Sequence, residues 1–137
     1  MARKNLTRAE VEFLARPLLC KFASISRDGS PHLTPIWFIY ENGKFIVTTP
    51  EGTVKARNVR RDHRVALLVD DGETYVMNMG NGRVTEGKSA ELNTEKLALR
   101  YEGERNARKK VVELLKEKHV MIEVTPVKIV SQGLGFA

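Results

Sequence analysis

Residues 27–49 read RDGSPHLTPIWFIYENGKFIVTT, and this stretch decides the fold class. Its Asp-Gly and Asn-Gly dipeptides supply the positive φ that tight hairpin turns require. The segments 31–40 and 45–49, which follow these turns, are rich in apolar and β-branched residues and favour strands. Together with the apolar segment 18–26, the pattern predicts three antiparallel strands joined as a meander.

The rest of the chain continues this pattern of short strands with few helices. A capping box at Thr7 and Glu10 predicts a helix that ends before Pro17. Further strands are predicted at 64–69, 74–79, 83–90, 120–124 and 127–131, and further helices at 53–62, from 93 or 94 to 101, and at 106–118. Such a succession in 137 residues predicts one domain, 1–137, that is mainly β with flanking helices.

Two predicted strands are apolar on both faces, which bears on assembly. They cover residues 33–40 and 64–69. A strand with one face in water alternates polar and apolar residues, and these two do not. We therefore expect the outer wall of a small antiparallel barrel to be covered, most simply by a second copy of the chain in a homodimer.

Composition excludes several classes of protein. The most extended apolar stretch, 33–40, is far shorter than the roughly 20 residues of a membrane-spanning helix. The first residues carry positive charge but no apolar segment typical of a signal peptide follows. The single cysteine, Cys20, cannot form an internal disulfide. These features predict a cytoplasmic protein that does not interact with membranes.

No sequence motif points to catalysis by side chains alone. Glycine-rich nucleotide motifs are absent. The three histidines, His32, His63 and His119, are too widely spaced to predict a metal site. No catalytic residue can be assigned, so an enzymatic activity would depend on a cofactor.

Positive charge is concentrated in one stretch. The net charge of the chain is +6. Within residues 55–64, five basic residues and one acid give +4, and the hydroxyls of Thr49 and Thr53 come just before. Hydroxyl groups, a lysine and a helix N-terminus together suit a phosphate group. The neighbouring strand, with proline, isoleucine and tryptophan, offers an apolar wall for a flat ring.

These segments, in this order, resemble the FMN-binding split barrel family. That family includes the pyridoxine/pyridoxamine 5′-phosphate oxidases and small relatives that use the deazaflavin F420. The resemblance covers residues 8–131, and it depends on 28–32, 34–38, Thr48-Thr49, the Thr53/Lys55 pair, 57–62 and Arg64-Val65. It implies a six-stranded antiparallel split β-barrel that forms a homodimer, with cofactor sites at the subunit interface.

The resemblance also implies which residues bind FMN or F420. Thr49, Thr53 and Lys55 match the residues that hold the cofactor phosphate. The ring would run along the strand that contains Thr34, Pro35, Ile36 and Trp37, mainly through main-chain contacts. The remaining candidates for cofactor binding are Thr48, Arg57 and Arg60. Arg57 and Arg60 either reach the phosphate or an acidic tail, or form a solvated helix surface. Trp37 either flanks the ring or packs at the dimer interface.

The implied function is an FMN- or F420-dependent oxidoreductase that transfers a hydride to or from a small organic substrate. Val54 stands where phosphate-binding oxidases often have arginine, and His63 replaces a common proline. The chain ends at Ala137 without the basic C-terminal segment of vitamin B6 oxidases, which argues against pyridoxamine phosphate as substrate.

Two other functions compete with this one. A non-enzymatic flavin or haem carrier or sensor is an alternative, with His119 as a possible iron ligand. Nucleic-acid binding is disfavoured because residues 55–64 contain no aromatic side chain for base stacking.

Overall fold

A computed structural model describes residues 3–134 of the chain. Its elements in chain order are α1 (Arg8–Leu14), β1 (Cys20–Ile25), β2 (Pro31–Ile36), β3 (Ile39–Glu41), β4 (Lys44–Pro50), α2 (Val54–Arg61), β5 (Arg64–Asp70), β6 (Tyr75–Thr85), α3 (Lys88–Leu114) and β7 (His119–Gln132). The predicted domain, 1–137, extends past this part of the chain at both ends, since residues 1–2 and 135–137 lie outside it.

The strands form one antiparallel sheet with the order β2-β1-β5-β6-β7-β4-β3. The prediction of a mainly β chain with flanking helices is confirmed, but the predicted number of six strands is wrong, because the sheet has seven. The predicted strand 31–40 is broken at Trp37 and Phe38 into β2 and β3. The two predicted hairpins are confirmed, as β1 with β2 and β3 with β4. They do not form a three-stranded meander, because β2 and β3 lie at opposite edges of the sheet.

The break between β2 and β3 shows that the sheet curls. These two strands are the opposite edges of the sheet, yet only Trp37 and Phe38 separate them. Three Cα–Cα steps span at most about 11 Å, so the two edges must approach each other. The sheet is therefore a half-closed barrel, in which two residues cross from one edge to the other.

A gap remains beside this crossover. β3 pairs with β4 only as far as Ile46, so within residues 3–134 the segment 47–50 of β4 has no strand partner on that side. No strand of the described chain pairs with the outer edge of β2. We call the space between these two free edges the split. Its edges carry main-chain groups that no neighbouring strand uses.

The inner face of the sheet holds the main hydrophobic core. Phe22, Phe45 and Leu67 are among its fully buried side chains. Phe13 of α1 and Val59 of α2 also pack into this core. The two short helices therefore close the barrel interior around the strands.

The capping box predicted for α1 is confirmed, and it includes a buried carboxylate. Thr7 Oγ1 accepts from the Glu10 N–H at 3.2 Å, and Glu10 Oε1 accepts from the Thr7 N–H at 2.8 Å. Arg3 also donates to Glu10, with Nη2 2.7 Å from Oε2. Burial acts to raise the pKa of Glu10, but hydrogen bonds from Arg3, Ser131 and Thr7 lower it to about 2.

Helix α3 covers the outer face of β4 and β7. Its Ala90 packs with Ile46 of β4 and Met121 of β7. The two helices predicted from 93 or 94 to 101 and at 106–118 are the two halves of α3, which is kinked at Gly103, where φ is 78° and ψ is 165°. The predicted strand 83–90 runs too far, because the helix begins at Lys88. None of the helices in residues 3–134 is long and apolar enough to cross a membrane.

An apolar row crosses the outer face of the other half of the sheet beside the Lys21–Asp70 ion pair, and in residues 3–134 its two ends are exposed. Leu33, Ala23, Ala66 and Met79 lie directly opposite one another in a row across β2, β1, β5 and β6. We call these four residues the outer row. Leu33 and Met79, at its two ends, are 63% and 42% exposed. A groove of about 360 Å³ runs beside the outer row.

Candidate functional site

Two threonine hydroxyls meet at the N-terminus of α2. Thr49 lies on the inner face of β4 and is 3% exposed. Its Oγ1 is 3.1 Å from Oγ1 of Thr53, the residue that caps α2. Thr53 Oγ1 accepts from the Ala56 N–H at 3.4 Å. The structure thus brings together two of the predicted phosphate ligands at a helix end that favours anions.

Lys55, in the first turn of α2, is half-buried and makes no hydrogen bond or ion pair with any residue in 3–134. Burial lowers its pKa, and the Cys20 thiol nearby acts in the opposite direction. Burial raises the pKa of that thiol to about 12, so it stays neutral and does not balance the lysine. A partly desolvated ammonium without a counter-charge is suited to an anionic ligand.

Three of the other four cations in the stretch 55–64 have a partner among the described residues, and one does not. Arg60 lies 3.5 Å from Glu86, and Arg64 pairs with Asp62 at 2.8 Å. Arg61 donates to the Ile25 carbonyl at 2.6 Å and to Asn58 Oδ1 at 3.0 Å. Arg57 is exposed and, within the part of the chain described, has no such partner. Within residues 3–134, Lys55 and Arg57 are therefore the cations of this stretch without a partner in the chain, whereas Arg60 contacts Glu86.

A cavity of about 330 Å³ opens in the split. Pro35, Ile36 and Trp37 line it from the end of β2 and the crossover, and Thr48 lines it from β4. Helix α3 forms the opposite wall. Four of the predicted cofactor-binding residues therefore share one cavity, whose mouth lies between the two free sheet edges.

The hydroxyl of Thr34 lies on the inner face of the sheet. Thr34 lies opposite Phe22 in the register of β1 and β2, which places it on the inner face of the sheet. Its Oγ1 is buried without a hydrogen-bond partner among residues 3–134, as is Nδ1 of His32 on the same face. Pro35, between Thr34 and Ile36, lines the cavity. A flat ligand that lies along β2 would therefore contact the main chain of this strand more than its side chains.

Tyr101 of α3 fixes the crossover, and sequence reasoning missed it. Its ring stacks on Trp37, with centroids 5.1 Å apart and planes inclined by 3°. Its hydroxyl donates to the Leu18 carbonyl at 2.7 Å and accepts from the Phe38 N–H at 3.1 Å. Burial raises the pKa of this phenol. Trp37 therefore packs within its own chain and also borders the cavity.

Sequence reasoning also missed the polar residues that α3 contributes to the cavity. Thr94 and Lys110 line it from the two halves of the kinked helix, and His119 lines it from the start of β7. No local pattern identifies them, because they meet β2 only through the tertiary fold. In the described residues, no group of three or more histidine, cysteine or acidic side chains is arranged to hold a metal ion.

Comparison with known proteins agrees with this architecture. An F420 reductase has a TM-score of 0.73 and 22% identity, over 91% of this chain and 98% of its own. A conserved hypothetical protein from Mycobacterium tuberculosis has a TM-score of 0.77 and 26% identity, over 98% of this chain and 89% of its own. General stress protein 26 from Bacillus anthracis str. Sterne has a TM-score of 0.70 and 17% identity, with 90% coverage of both chains.

The sequence itself assigns the family. The profile described as pyridoxamine 5′-phosphate oxidase matches residues 6–132, nearly the whole chain. The curled antiparallel sheet and the structural neighbours agree with that match. The chain belongs to the pyridoxamine 5′-phosphate oxidase family of split-barrel proteins.

Proposed function

We propose that this protein is an oxidoreductase that binds FMN or the deazaflavin F420 and transfers a hydride to or from a small organic substrate. The observation that carries the proposal is the position of Lys55. Its ammonium is half-buried without an anionic partner in the part of the chain that the structure describes, next to the N-terminus of α2, where the hydroxyls of Thr49 and Thr53 lie together. Family membership supports the same conclusion.

The residues present fit the phosphate of such a cofactor. Thr49 and Thr53 would donate hydrogen bonds to the phosphate oxygens, Lys55 would supply the charge, and the α2 N-terminus would add its dipole. Arg57, exposed on the same helix, extends the basic surface outward. Val54, which replaces a frequent arginine, leaves Lys55 and Arg57 as the cations for this role.

The split fits the ring of the cofactor. The outer edge of β2 borders the mouth of the cavity, so the ring would lie across this opening and leave the interior of the cavity to a second ligand. The buried Thr34 hydroxyl, which lacks a partner among the described residues, is one further hydrogen-bonding group on this strand. The bound ring would accept or donate the hydride. The residues of this chain would bind the ring, orient it and exclude water around it.

The test of this proposal is spectroscopic. Absorption of the purified protein is recorded first, and FMN and F420 are then titrated separately into the protein freed of any bound pigment. We expect saturable binding of at least one of them at micromolar concentration or below. If neither binds in this range, the proposal is wrong. Haem is a third titrant, because His119 lines the cavity, and a Soret band with no flavin binding would favour a haem carrier.

We further propose that two copies of the chain pair through the outer row, with the cofactor sites at their interface. The outer row is apolar, and its ends at Leu33 and Met79 are exposed in the single chain. Ala23 and Ala66, at its centre, leave room for the partner's side chains. Burying such a surface is favourable by about 25 cal/mol per Å² of apolar area.

Light scattering after size exclusion measures the assembly. We expect the parent to be a dimer and a Leu33→Glu variant to be a monomer, because one carboxylate would be buried in each half of the interface. Leu92→Glu is the matched control, since Leu92 is 49% exposed on α3, away from the outer row. A monomeric parent, or equal behaviour of the two variants, contradicts this assembly.

A further inference from the structure

The cavity in the split has a composition that defines a ligand beyond the cofactor. Its apolar lining includes Leu19, Ile36, Leu97 and Leu114, and Trp37 adds a flat aromatic wall. Its volume of about 330 Å³ is at the small end of the range for small-molecule sites. An apolar, planar molecule of modest size suits these walls.

The polar groups of the cavity differ in whether they need a ligand. Thr94 Oγ1 donates to the Ala90 carbonyl at 2.8 Å and lies 3.0 Å from Thr48 Oγ1, from which it accepts. His119 Nδ1 lies 3.0 Å from the Glu117 carbonyl, to which it donates because a carbonyl can only accept. These three side chains therefore already have partners within the chain.

Lys110 is the exception. It lines the cavity from the second half of α3 and has no hydrogen bond or ion pair with the residues described. No carboxylate is among the residues that line this cavity. One unpaired ammonium at the border of an apolar cavity is complementary to a single negative charge on an apolar body.

We propose that the cavity in the split binds a small planar aromatic carboxylate, with the ring against Trp37 and the carboxylate on Lys110. This inference deepens the proposed function and rests on it only in naming the carboxylate as the substrate class. The binding itself requires only the cavity and its charge. The ligand is distinguished from the cofactor phosphate, which we assign to Lys55 at the N-terminus of α2.

The chain carries its own reporter for this test. Trp37 is the only tryptophan, and it borders the cavity. Benzoate is titrated into the full chain, and tryptophan fluorescence is measured after correction for absorption by the ligand. Benzamide, which has the same shape without the charge, is titrated in parallel. We expect benzoate to change the fluorescence saturably and to bind more tightly than benzamide.

Two lysine variants decide where the charge acts. Lys110→Gln removes the ammonium at the cavity, and we expect it to weaken benzoate binding about tenfold and leave benzamide unchanged. Lys109→Gln is the matched control, because Lys109 is exposed and does not line the cavity. Unfolding midpoints of both variants verify that each is folded.

Three results would overturn the inference: no benzoate binding at millimolar concentration, equal binding of benzoate and benzamide, or equal effects of the two lysine variants. The outcome is separable from that of the proposed function. A protein that binds FMN or F420 but not benzoate refutes only the carboxylate site. A protein that binds benzoate through Lys110 but neither cofactor refutes only the proposed function.

Discussion

Replacing Lys55 by alanine should weaken cofactor binding without weakening the fold. In the folded chain this ammonium is half-buried and has no anionic partner among residues 3–134. Burial lowers its pKa, which means that the charged form is held at a cost. Removing it therefore relieves an unfavourable charge in the free protein and deletes a contact in the complex.

The expected size follows from the contact that is lost. A charge-assisted hydrogen bond contributes about 1.5–3 kcal/mol. Because Lys55 is only half-buried, solvent screening places the effect in the lower part of that range. Such a loss raises Kd for FMN or F420 about 10- to 30-fold. The unfolding midpoint of the free protein should stay unchanged or rise.

Arg61→Ala is the matched control on the same helix. The guanidinium of Arg61 donates hydrogen bonds to the Ile25 carbonyl and to Asn58 Oδ1. The side-chain amide of Asn58 in turn donates to Ser24 Oγ at 3.1 Å. Loss of these bonds should destabilise the fold by about 1 kcal/mol, because each exposed bond contributes little. Cofactor affinity should change less than threefold.

Calorimetric titration with FMN and F420 and thermal unfolding of the free proteins measure both quantities. The two variants should separate, one in affinity and the other in stability. Small and equal changes in Kd for Lys55→Ala and Arg61→Ala would mean that the basic stretch is only a solvated helix surface. That result would refute the assignment of the phosphate to Lys55.

The remaining predictions concern stability. The pKa of Glu10 falls from 4.5 to about 2 on folding. Its contribution is therefore complete above about pH 4.5 and is lost as the pH falls toward 2, by about 3 kcal/mol. Urea titrations at several pH values measure this loss, and a Glu10→Gln variant with the same acid dependence would contradict it. Gly80→Ala should cost about 1–3 kcal/mol, because its Cβ would lie 2.5 Å from the Thr125 carbonyl oxygen. Gly52→Ala, where a Cβ meets nothing within 4 Å, is the control, and equal midpoints in urea would refute the clash. Tyr101→Phe should cost about 1–3 kcal/mol, because it leaves a main-chain N–H and carbonyl unpaired. Unfolding in urea that matches the parent would show that the hydroxyl is dispensable.

Local patterns in the sequence predict those parts of the fold that depend on neighbouring residues. The capping box at Thr7 is confirmed, because its hydrogen bonds join residues three positions apart, and Thr53 caps α2 in the same local way. The prediction of separate strands at 74–79 and 83–90 is wrong, since β6 continues through residues 80–82 with a register shift at Gly80. Glycine at 80 serves the close approach of β7, a contact more than forty residues away that no local signal reveals.

The same limit applies to the candidate site. Thr49 and Thr53 are four residues apart, so a strand end followed by a helix brings them together. Which cations remain unpaired depends on carboxylates that are distant in the sequence. Arg60 and Glu86, for example, are separated in the chain by β5 and β6 and come together only in the folded structure. The contact between Trp37 and Tyr101 depends on how α3 lies across the sheet.

The free edge of β2 has a consequence for misassembly. Pro31 and Pro35 lie opposite Ile25 and Lys21 in β1, and a proline has no N–H to donate. In an antiparallel pair, alternate residues turn their main-chain groups away from the partner strand, so 31, 33 and 35 present theirs to the open side. Leu33 alone among these three offers an N–H there. This edge is a poor template for strand addition and amyloid-like growth, so a second copy can join through the sheet face without extending the sheet.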